Sequence, residues 1–144
     1  MALHVFVYGT LRRGGCNHAR MAGAEWLGPA SVRGRLYELG WYPGLVIDAQ
    51  AGAVHGDVFK LASWEQLAAL DHYEGCSPEH PEPHEYRRER TEVLIGTTRI
   101  SAWLWVWRQA QAAAAPQLIA TGDWLAERPL GRAPTRVDQP LAAS

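Results

Sequence analysis

The sequence is poor in lysine, in cysteine and in net charge. Lys60 is the single lysine among 14 basic residues, so a mechanism through a lysine Schiff base would have one candidate. Two cysteines, Cys16 and Cys76, are too few for a disulfide framework and indicate a reducing compartment. The formal net charge of −1 at pH 7 gives no strong field toward nucleic acid or an anionic membrane.

The chain also lacks long apolar runs. No stretch of about 20 apolar residues could span a bilayer, and the first residues lack the basic and apolar regions of a secretory signal. We therefore expect a cytoplasmic protein with neither a membrane nor a nucleic-acid partner. A composition that is 47% hydrophobic over 144 residues fits one domain of ordinary size. We place that domain at residues 1–130 and a flexible tail at 131–144.

Many short strands and one clear helix predict a mixed domain of the α+β or α/β type. Residues 3–8 predict the first strand, and YRRERTEVLIG with TRISAWLWVWR predicts a hairpin. Trp103, Trp105 and Trp107 alternate there and should share one face of a strand. Gly56 interrupts a further strand and should mark a bulge or a close backbone approach. The other predicted strands cover residues 32–39, 45–48 and 53–61, with a turn at 40–44.

The clearest helix begins after Ser63, which forms a capping box with Gln66, and ends before Gly75. A shorter helix should begin at Asn17, with that side chain as its cap. The segment CSPEHPEPHE, residues 76–85, contains three prolines and is expected to be an exposed loop.

Glu74 occupies an unusual face of that helix. At about 100° per residue, Leu67, Leu70 and Glu74 share one side, with Asp71 nearby as a second candidate. Glu74 also falls in the last turn, where the helix dipole disfavours a carboxylate. Partial burial and the dipole should both raise the pKa of Glu74, which suits a general base. The alternative is a side chain that reaches past the helix end into water.

The first strand ends abruptly in a Gly9–Thr10 turn. Glycine at a strand end allows successive amide groups to converge on one anion or on a developing oxyanion. The Thr10 hydroxyl, and the charge of Arg12 or Arg13 at the rim, could add to this site. The turn matches neither of the nucleotide-binding patterns G-x-G-x-x-G and G-x-x-x-x-G-K-[ST]. An ordinary strand-to-loop turn is the alternative.

Several of these segments occur in an order that is typical of one family. VFVYGTLRRGG, YPGLV, VHGDVF, LDHYEG, EYRRERTEV and GDW together resemble the γ-glutamylcyclotransferase-like family. This family includes the AIG2-like proteins and the γ-glutamylamine cyclotransferases. The resemblance covers about residues 4 to 125, and YGTL with L-D-x-x-E-G carries most of it. It implies a small mixed-strand β-barrel with peripheral helices and a cavity at one end.

The resemblance also implies an activity and the residues that perform it. The reaction would cyclise a small γ-glutamyl amide to 5-oxoproline and release an amine or amino acid, without a cofactor or metal. Glu74 would be the catalytic acid/base. The loop formed by Tyr8, Gly9, Thr10 and Leu11 would bind the substrate α-carboxylate through its amides. The same cavity would also be lined by Tyr42, Pro43, Gly44 and Tyr86.

Other chemistry is suggested by a few residues outside these motifs. A zinc site would use His72, Cys76, His80 and His84, although the prolines of that loop prevent a helix. Cys16 near His18 suggests a thiol nucleophile, but no acidic residue lies close in sequence. The alternating tryptophans could stack bases, yet no basic stripe accompanies them. A non-catalytic metabolite-binding or regulatory module is the rival of a different class, because a fold does not determine function.

Overall fold

The computed structural model describes residues 3–40, 42–108 and 116–127. The strands are β1 (His4–Val7), β2 (Glu25–Glu38), β3 (Pro43–Ile47), β4 (Ala53–Lys60), β5 (Tyr86–Ile95), β6 (Thr98–Trp107) and β7 (Gln117–Leu118). The α-helices are α1 (Trp64–Glu74) and α2 (Trp124–Glu127), and a 3₁₀ helix spans His18–Met21. None of the helices in these ranges is long and apolar enough to cross a membrane. The tail expected at 131–144 lies outside the described residues.

Five strands close into a barrel, because both ends of the strand order meet at β2. Antiparallel pairing joins β2 to β4, β4 to β1, β6 to β5, and β5 back to β2. β1 runs parallel to β6, so the barrel is mixed. The predicted α+β fold, a small mixed-strand barrel with peripheral helices, is confirmed. Closure gives each barrel strand two neighbours, which protects a small sheet from exposed edges.

β2 is long enough to pair with β3 in addition to its two barrel neighbours, β4 and β5. Its first part pairs with β4, and its last part, from Gly34 onward, pairs with β3. The sequence predicted a strand only over 32–39, and the start of this prediction was wrong. Glycine and proline usually interrupt strands, but here Gly28 and Pro29 lie inside β2. They are accommodated by an irregular register after Trp26, where Gly28 has a φ of 142°.

Gly56 allows a close approach between strands, one of the two possibilities that the sequence left open. Its regular pairing with Ala30 argues against a bulge at this position. A Cβ atom at Gly56 would lie 2.3 Å from the Val7 carbonyl oxygen and 2.6 Å from the Phe6 ring. The contact between β1 and β4 at this position therefore requires a residue without a side chain.

Two apolar clusters occupy opposite faces of the barrel strands. Along β1, Phe6 and Tyr8 belong to one cluster and Val5 and Val7 to the other. The cluster of Val5 and Val7 also contains the buried leucines of α1. Because successive strand residues point to opposite faces, this cluster lies between the barrel and α1, and the other fills the barrel interior.

The tryptophans of β6 share the face that α1 covers, as their alternation predicted. Trp105 is 0% exposed and Trp107 is 6% exposed, and Trp103 packs against the same cluster. Indole rings buried in this way contribute to the core. Trp105 and Trp107 are therefore not available as a stacking surface for bases, and the partly buried Trp103 ring is covered by Arg88 at 4.5 Å and Arg90 at 5.4 Å.

Both ends of α1 follow the sequence prediction. The Ser63 hydroxyl accepts a hydrogen bond from the Gln66 amide at 3.1 Å, and Gly75 adopts the left-handed conformation with a φ of 77°. The Gln66 side chain accepts from the Ala62 amide, one residue before the expected partner in a capping box. The cap predicted at Asn17 was wrong, because its side chain makes no hydrogen bond to the 3₁₀ helix.

Two connecting segments differ in detail from their predictions. Residues 76–85 form an irregular loop, but the loop is exposed only in part, since Ser77 is 4% exposed. The turn predicted at 40–44 ends earlier, because Pro43 already pairs with Glu38 as the first residue of β3.

Candidate active site

Four ends of secondary-structure elements meet at one place beside the barrel. They are the turn after β1, the C-terminal end of α1 and the N-terminal ends of β3 and β5. The Thr10 hydroxyl lies 2.9 Å from the Tyr73 hydroxyl, which joins the turn to α1. The Tyr86 hydroxyl donates to the Pro43 carbonyl, which joins β5 to β3. The residues that the family resemblance assigned to the catalytic and binding site come from these four ends.

Glu74 is completely buried as the last residue of α1, with an exposure of 0%. Burial is the main cause of the raised pKa of Tyr86, and the negative charge of Glu74 adds to it. Burial is also the main cause of the raised pKa values of Tyr73 and Tyr42, and the charge of Glu74 raises them further. The carboxylate thus interacts electrostatically with three tyrosine hydroxyls of this site.

Tyr73 is the residue of this site that the sequence reasoning missed. Its hydroxyl accepts from the Asn17 side-chain amide at 2.8 Å, in addition to its contact with Thr10. The Arg20 guanidinium lies 4.4 Å from the centre of the Tyr73 ring. A signal was available, because Tyr73 follows Leu70 by three residues and so shares the buried side of α1.

The turn after β1 directs its carbonyl groups inward. The Gly9 carbonyl accepts from the Arg12 amide at 3.1 Å, and the Thr10 carbonyl accepts from the Asn17 amide at 2.9 Å. In a planar trans peptide, the N–H points in the opposite direction to the C=O. The amides of Thr10 and Leu11 therefore point away from the interior of the turn.

The side chains of Tyr8 and Leu11 belong to the core. Both are 0% exposed. The Tyr8 hydroxyl donates to the Trp105 carbonyl at 2.6 Å and accepts from the Leu45 amide at 3.3 Å, so it connects β1 with β6 and β3. A ligand at the turn would therefore meet the backbone of these two residues.

Tyr42 and Tyr86 form an aromatic wall, with ring centroids 6.4 Å apart. The Tyr42 hydroxyl donates to the Glu85 carboxylate at 3.0 Å, and burial raises the pKa of Glu85. Gly44, two residues after Tyr42, allows the backbone to pack closely against Trp107, because a Cβ atom at Gly44 would lie 2.8 Å from the Trp107 side chain. Glu85 is a further acidic residue near the site, and the sequence motifs did not identify it.

Asp71, the second candidate carboxylate, holds α1 against the barrel. Its Oδ1 accepts from the indole N–H of Trp105 at 2.9 Å and lies 3.3 Å from Nε of Arg88. These two contacts occupy the Asp71 carboxylate, so it is held in place as a structural group and does not face a substrate as a general base must. The geometry therefore favours Glu74 over Asp71 as an acid/base group.

Two cavities differ in their relation to this site. One of about 400 Å³ borders it and is lined by Asp71, Cys76 and Tyr86, among others. A larger one of about 630 Å³ is lined by residues such as Val32 and Val93, which belong to other parts of β2 and β5. We locate the site by its chemistry, because the larger cavity contains none of the residues around Glu74.

The zinc alternative has no geometric support. Within residues 3–40, 42–108 and 116–127, no group of three or more histidine, cysteine or acidic side chains could hold one metal ion. His72 and His80 do stack, with ring centroids 4.8 Å apart, and Nε2 of His84 lies 3.2 Å from the His80 carbonyl. The two loop histidines therefore contact α1 and their own loop.

The thiol alternative, Cys16, is not supported by its pKa, and the same holds for the second cysteine, Cys76, for which we make a prediction. Burial raises the pKa of Cys16, and burial followed by the charges of Asp71 and Glu74 raises the pKa of Cys76 to about 12. Only a thiolate reacts as a nucleophile, so iodoacetamide at pH 8 should label Cys76 of the folded protein about a thousandfold more slowly than free cysteine. Mass spectrometry against a urea-unfolded control measures this. Labelling of Cys76 at the unfolded rate would contradict it.

A small closed mixed barrel is the fold that the resemblance to the γ-glutamylcyclotransferase-like class implied. A comparison with family models agrees with this class. The model described as gamma-glutamyl cyclotransferase, AIG2-like, matches residues 5–126. The chain belongs to this family.

Individual relatives cover nearly the same region. A Vibrio cholerae protein named "Putative gamma-glutamylcyclotransferase" is 39% identical over 122 residues, which cover 83% of this chain and 93% of that protein. The gamma-glutamylcyclotransferase family protein YtfP of Escherichia coli is 36% identical over 85% of this chain and 96% of its own length. The solution structure of ytfP matches with a TM-score of 0.62 at 33% identity, over 87% of this chain and 98% of that one. The crystal structure of a mouse AIG2-like protein matches with a TM-score of 0.62 at 25% identity, over 80% of each chain.

Proposed function

We propose that this protein cyclises a γ-glutamyl amide to 5-oxoproline and releases an amine or an amino acid. The family and the names of its relatives support a reaction of the cyclotransferase type. The observation that carries the proposal is Glu74, which is 0% exposed and lies next in sequence to Tyr73, whose hydroxyl contacts Thr10 of the turn. A carboxylate and an anion-binding turn can then act on one small molecule.

The glutamyl end of the substrate would bind at the turn. Amides that point away from the turn interior can hold the α-carboxylate without a charged side chain. The binding residues that we propose are Tyr8, Gly9, Thr10 and Leu11 through their backbone, and Tyr42, Pro43, Gly44 and Tyr86 as the wall of the cavity.

Glu74 would act first as a general base and then as a general acid. Its carboxylate takes a proton from the α-ammonium group of the substrate, and the freed amine attacks the γ-carbonyl carbon. A new C–N bond closes the five-membered ring, and the original amide C–N bond breaks from the tetrahedral oxyanion. The proton held by Glu74 passes to the departing nitrogen, and the ring nitrogen loses the second proton of the attacking amine to solvent, which leaves a neutral lactam. No step requires a cofactor or a metal.

The main contribution of the protein would be conformational. A free γ-glutamyl chain rotates about several bonds, and ring closure requires one arrangement of the amine and the carbonyl. Holding the α-carboxylate at the turn and the carbonyl beside Glu74 supplies that arrangement before the reaction begins. A hydrogen-bond donor near the carbonyl, either an amide of the turn or a tyrosine hydroxyl, would stabilise the oxyanion.

The variant Tyr73→Phe tests whether the contact between α1, which carries Glu74, and the turn after β1 supports turnover. Without the hydroxyl, the Thr10 hydroxyl and the Asn17 amide lose a shared partner, so kcat/KM should fall by roughly 5- to 30-fold, corresponding to about 1–2 kcal/mol. Steady-state kinetics with a γ-glutamyl amide measures this change. Tyr37→Phe is the matched control, because the Tyr37 hydroxyl binds Arg35 and lies outside the site. Equal effects of the two variants would contradict the role of Tyr73.

The reaction itself is tested with a panel of γ-glutamyl amides that differ in their leaving group. The protein is incubated with each compound in the presence of EDTA, and 5-oxoproline and the released amine are measured by mass spectrometry. We expect both products in equal amounts for at least one compound. A compound that raises the melting temperature without turnover would instead favour the metabolite-binding module.

A further inference from the structure

A buried arginine holds the turn after β1 through its side chain. The sequence suggested that Arg12 or Arg13 adds charge at the rim of the turn, but both are engaged elsewhere. The Arg12 side chain is 12% exposed, and its Nη1 donates to Oδ1 of Asp123 at 2.9 Å. Its Nε lies 3.5 Å from Oδ2 of Asp57. The Arg13 guanidinium lies over the exposed Trp26 ring, 4.1 Å from its centre.

Asp57 also fixes the backbone of the next residue. The same Oδ2 atom accepts from the Arg13 amide at 2.9 Å. Asp57 lies opposite Val7 in the β4–β1 pair, and its side chain is 6% exposed. One buried carboxylate on a barrel strand therefore binds a side chain and an amide directly after the Tyr8–Leu11 segment.

Asp123 belongs to the GDW segment, residues 122–124, whose role the site leaves unexplained. Trp124 is 3% exposed and belongs to the cluster inside the barrel. The Gly122 carbonyl accepts from the amide of His55 on β4 at 2.8 Å. The carboxylate of Asp123 is thus presented by a segment that is anchored on both sides.

We propose that Arg12 is a positioning residue, which fixes the Gly9–Leu11 backbone through Asp57 and Asp123 and thereby sets the affinity for the α-carboxylate of the substrate. This inference rests on the proposed function, because it takes the turn as the binding site. The Arg12 guanidinium lies between the carboxylates of Asp57 and Asp123, which belong to two anchored segments. These contacts restrict the backbone at Arg12, the residue that follows Leu11. Without this restraint the turn would gain conformational freedom that ligand binding must remove, which weakens binding of the α-carboxylate.

The test compares Arg12→Gln, Asp123→Asn and the double variant with the wild type. The readouts are kcat and KM for a γ-glutamyl amide, the Kd for L-glutamate by calorimetry, and the melting temperature. We expect KM and the Kd to rise roughly tenfold while kcat stays within about twofold. The double variant should bind L-glutamate no more weakly than Arg12→Gln alone, because Asp123 has no arginine partner left to lose once Arg12 is replaced. Arg12→Lys should recover part of the affinity.

Arg35→Gln is the matched control, because it breaks an ion pair of 3.3 Å with Asp48 at the surface, where the Arg35 side chain is 41% exposed. This variant should leave KM and the Kd unchanged. A lower melting temperature of Arg12→Gln with unchanged KM and Kd would overturn the proposal, since Arg12 would then only stabilise the fold.

The two proposals fail in different ways. If the wild type binds L-glutamate but turns over no γ-glutamyl amide, the proposed reaction is wrong, and weaker binding by Arg12→Gln still supports the positioning role. If turnover occurs and Arg12→Gln binds normally, only the positioning role is wrong. A wild type that neither binds L-glutamate nor turns over an amide would overturn both.

Discussion

Replacing Glu74 by glutamine should lower kcat for a γ-glutamyl amide by about 10²- to 10⁴-fold, the usual contribution of a general acid–base group. Glutamine keeps the size of the side chain and its ability to hydrogen bond, but it cannot take up a proton from the substrate ammonium group. The affinity for L-glutamate should be retained, because the amides of the turn are not changed.

The stability of this variant should not fall. Glu74 is 0% exposed, and an ionised carboxylate that is removed from water carries a desolvation cost that a neutral amide of the same shape largely avoids. We therefore expect an unchanged or higher melting temperature at pH 7. Lost turnover together with a lower melting temperature would indicate that Glu74 supports the structure.

Glu65→Gln is the matched control for this experiment. Glu65 lies in the first turn of the same helix and is exposed to solvent. Its replacement removes one carboxylate from α1 without touching the site, so kcat should stay within about twofold of the wild type. A comparable loss in both variants would mean that the helix, and not the position of Glu74, determines turnover.

Replacing Gly56 by alanine should lower the free energy of unfolding by about 3 kcal/mol or more, or prevent folding. The new Cβ atom would lie 2.3 Å from the Val7 carbonyl oxygen, and that oxygen belongs to the backbone of β1. Relief of the clash requires separation of β1 from β4, and β1 leads directly into the turn after Val7. Equilibrium unfolding in urea measures the loss.

Gly52→Ala separates this effect from a general sensitivity to alanine. A Cβ atom at Gly52 meets no atom within 4 Å, so its free energy of unfolding should change by less than about 1 kcal/mol, with a slight gain from the stiffer unfolded chain. Equal losses in the two variants would contradict the close approach at Gly56.

Features that depend on near neighbours in the chain were predictable. The caps of α1 follow from Ser63, Gln66 and Gly75, because capping bonds span three or four residues. The helical period placed Glu74 among the apolar residues, and the period of two placed the tryptophans of β6 on one face. The order of the motifs indicated the family and, through it, the barrel.

Predictions failed where a local rule competed with pairing to a distant strand. Gly28 and Pro29 resemble a break, yet β2 continues through them because β4 pairs with the residues on both sides. Asn17 resembles a helix cap, yet its side chain binds Tyr73, 56 residues away. In both cases the distant partner stabilises an arrangement that the local pattern does not favour.

By itself, the sequence determined where the helix begins and ends, which side chains share a face and where the first strand turns. The tertiary structure decided which of these features meet. Tyr73 reaches Thr10 across 63 residues, and Arg12 reaches Asp123 across 111. Dihedral preferences and side-chain periods act over a few residues, whereas such contacts depend on the register and closure of the barrel, which are set only when all five strands pair.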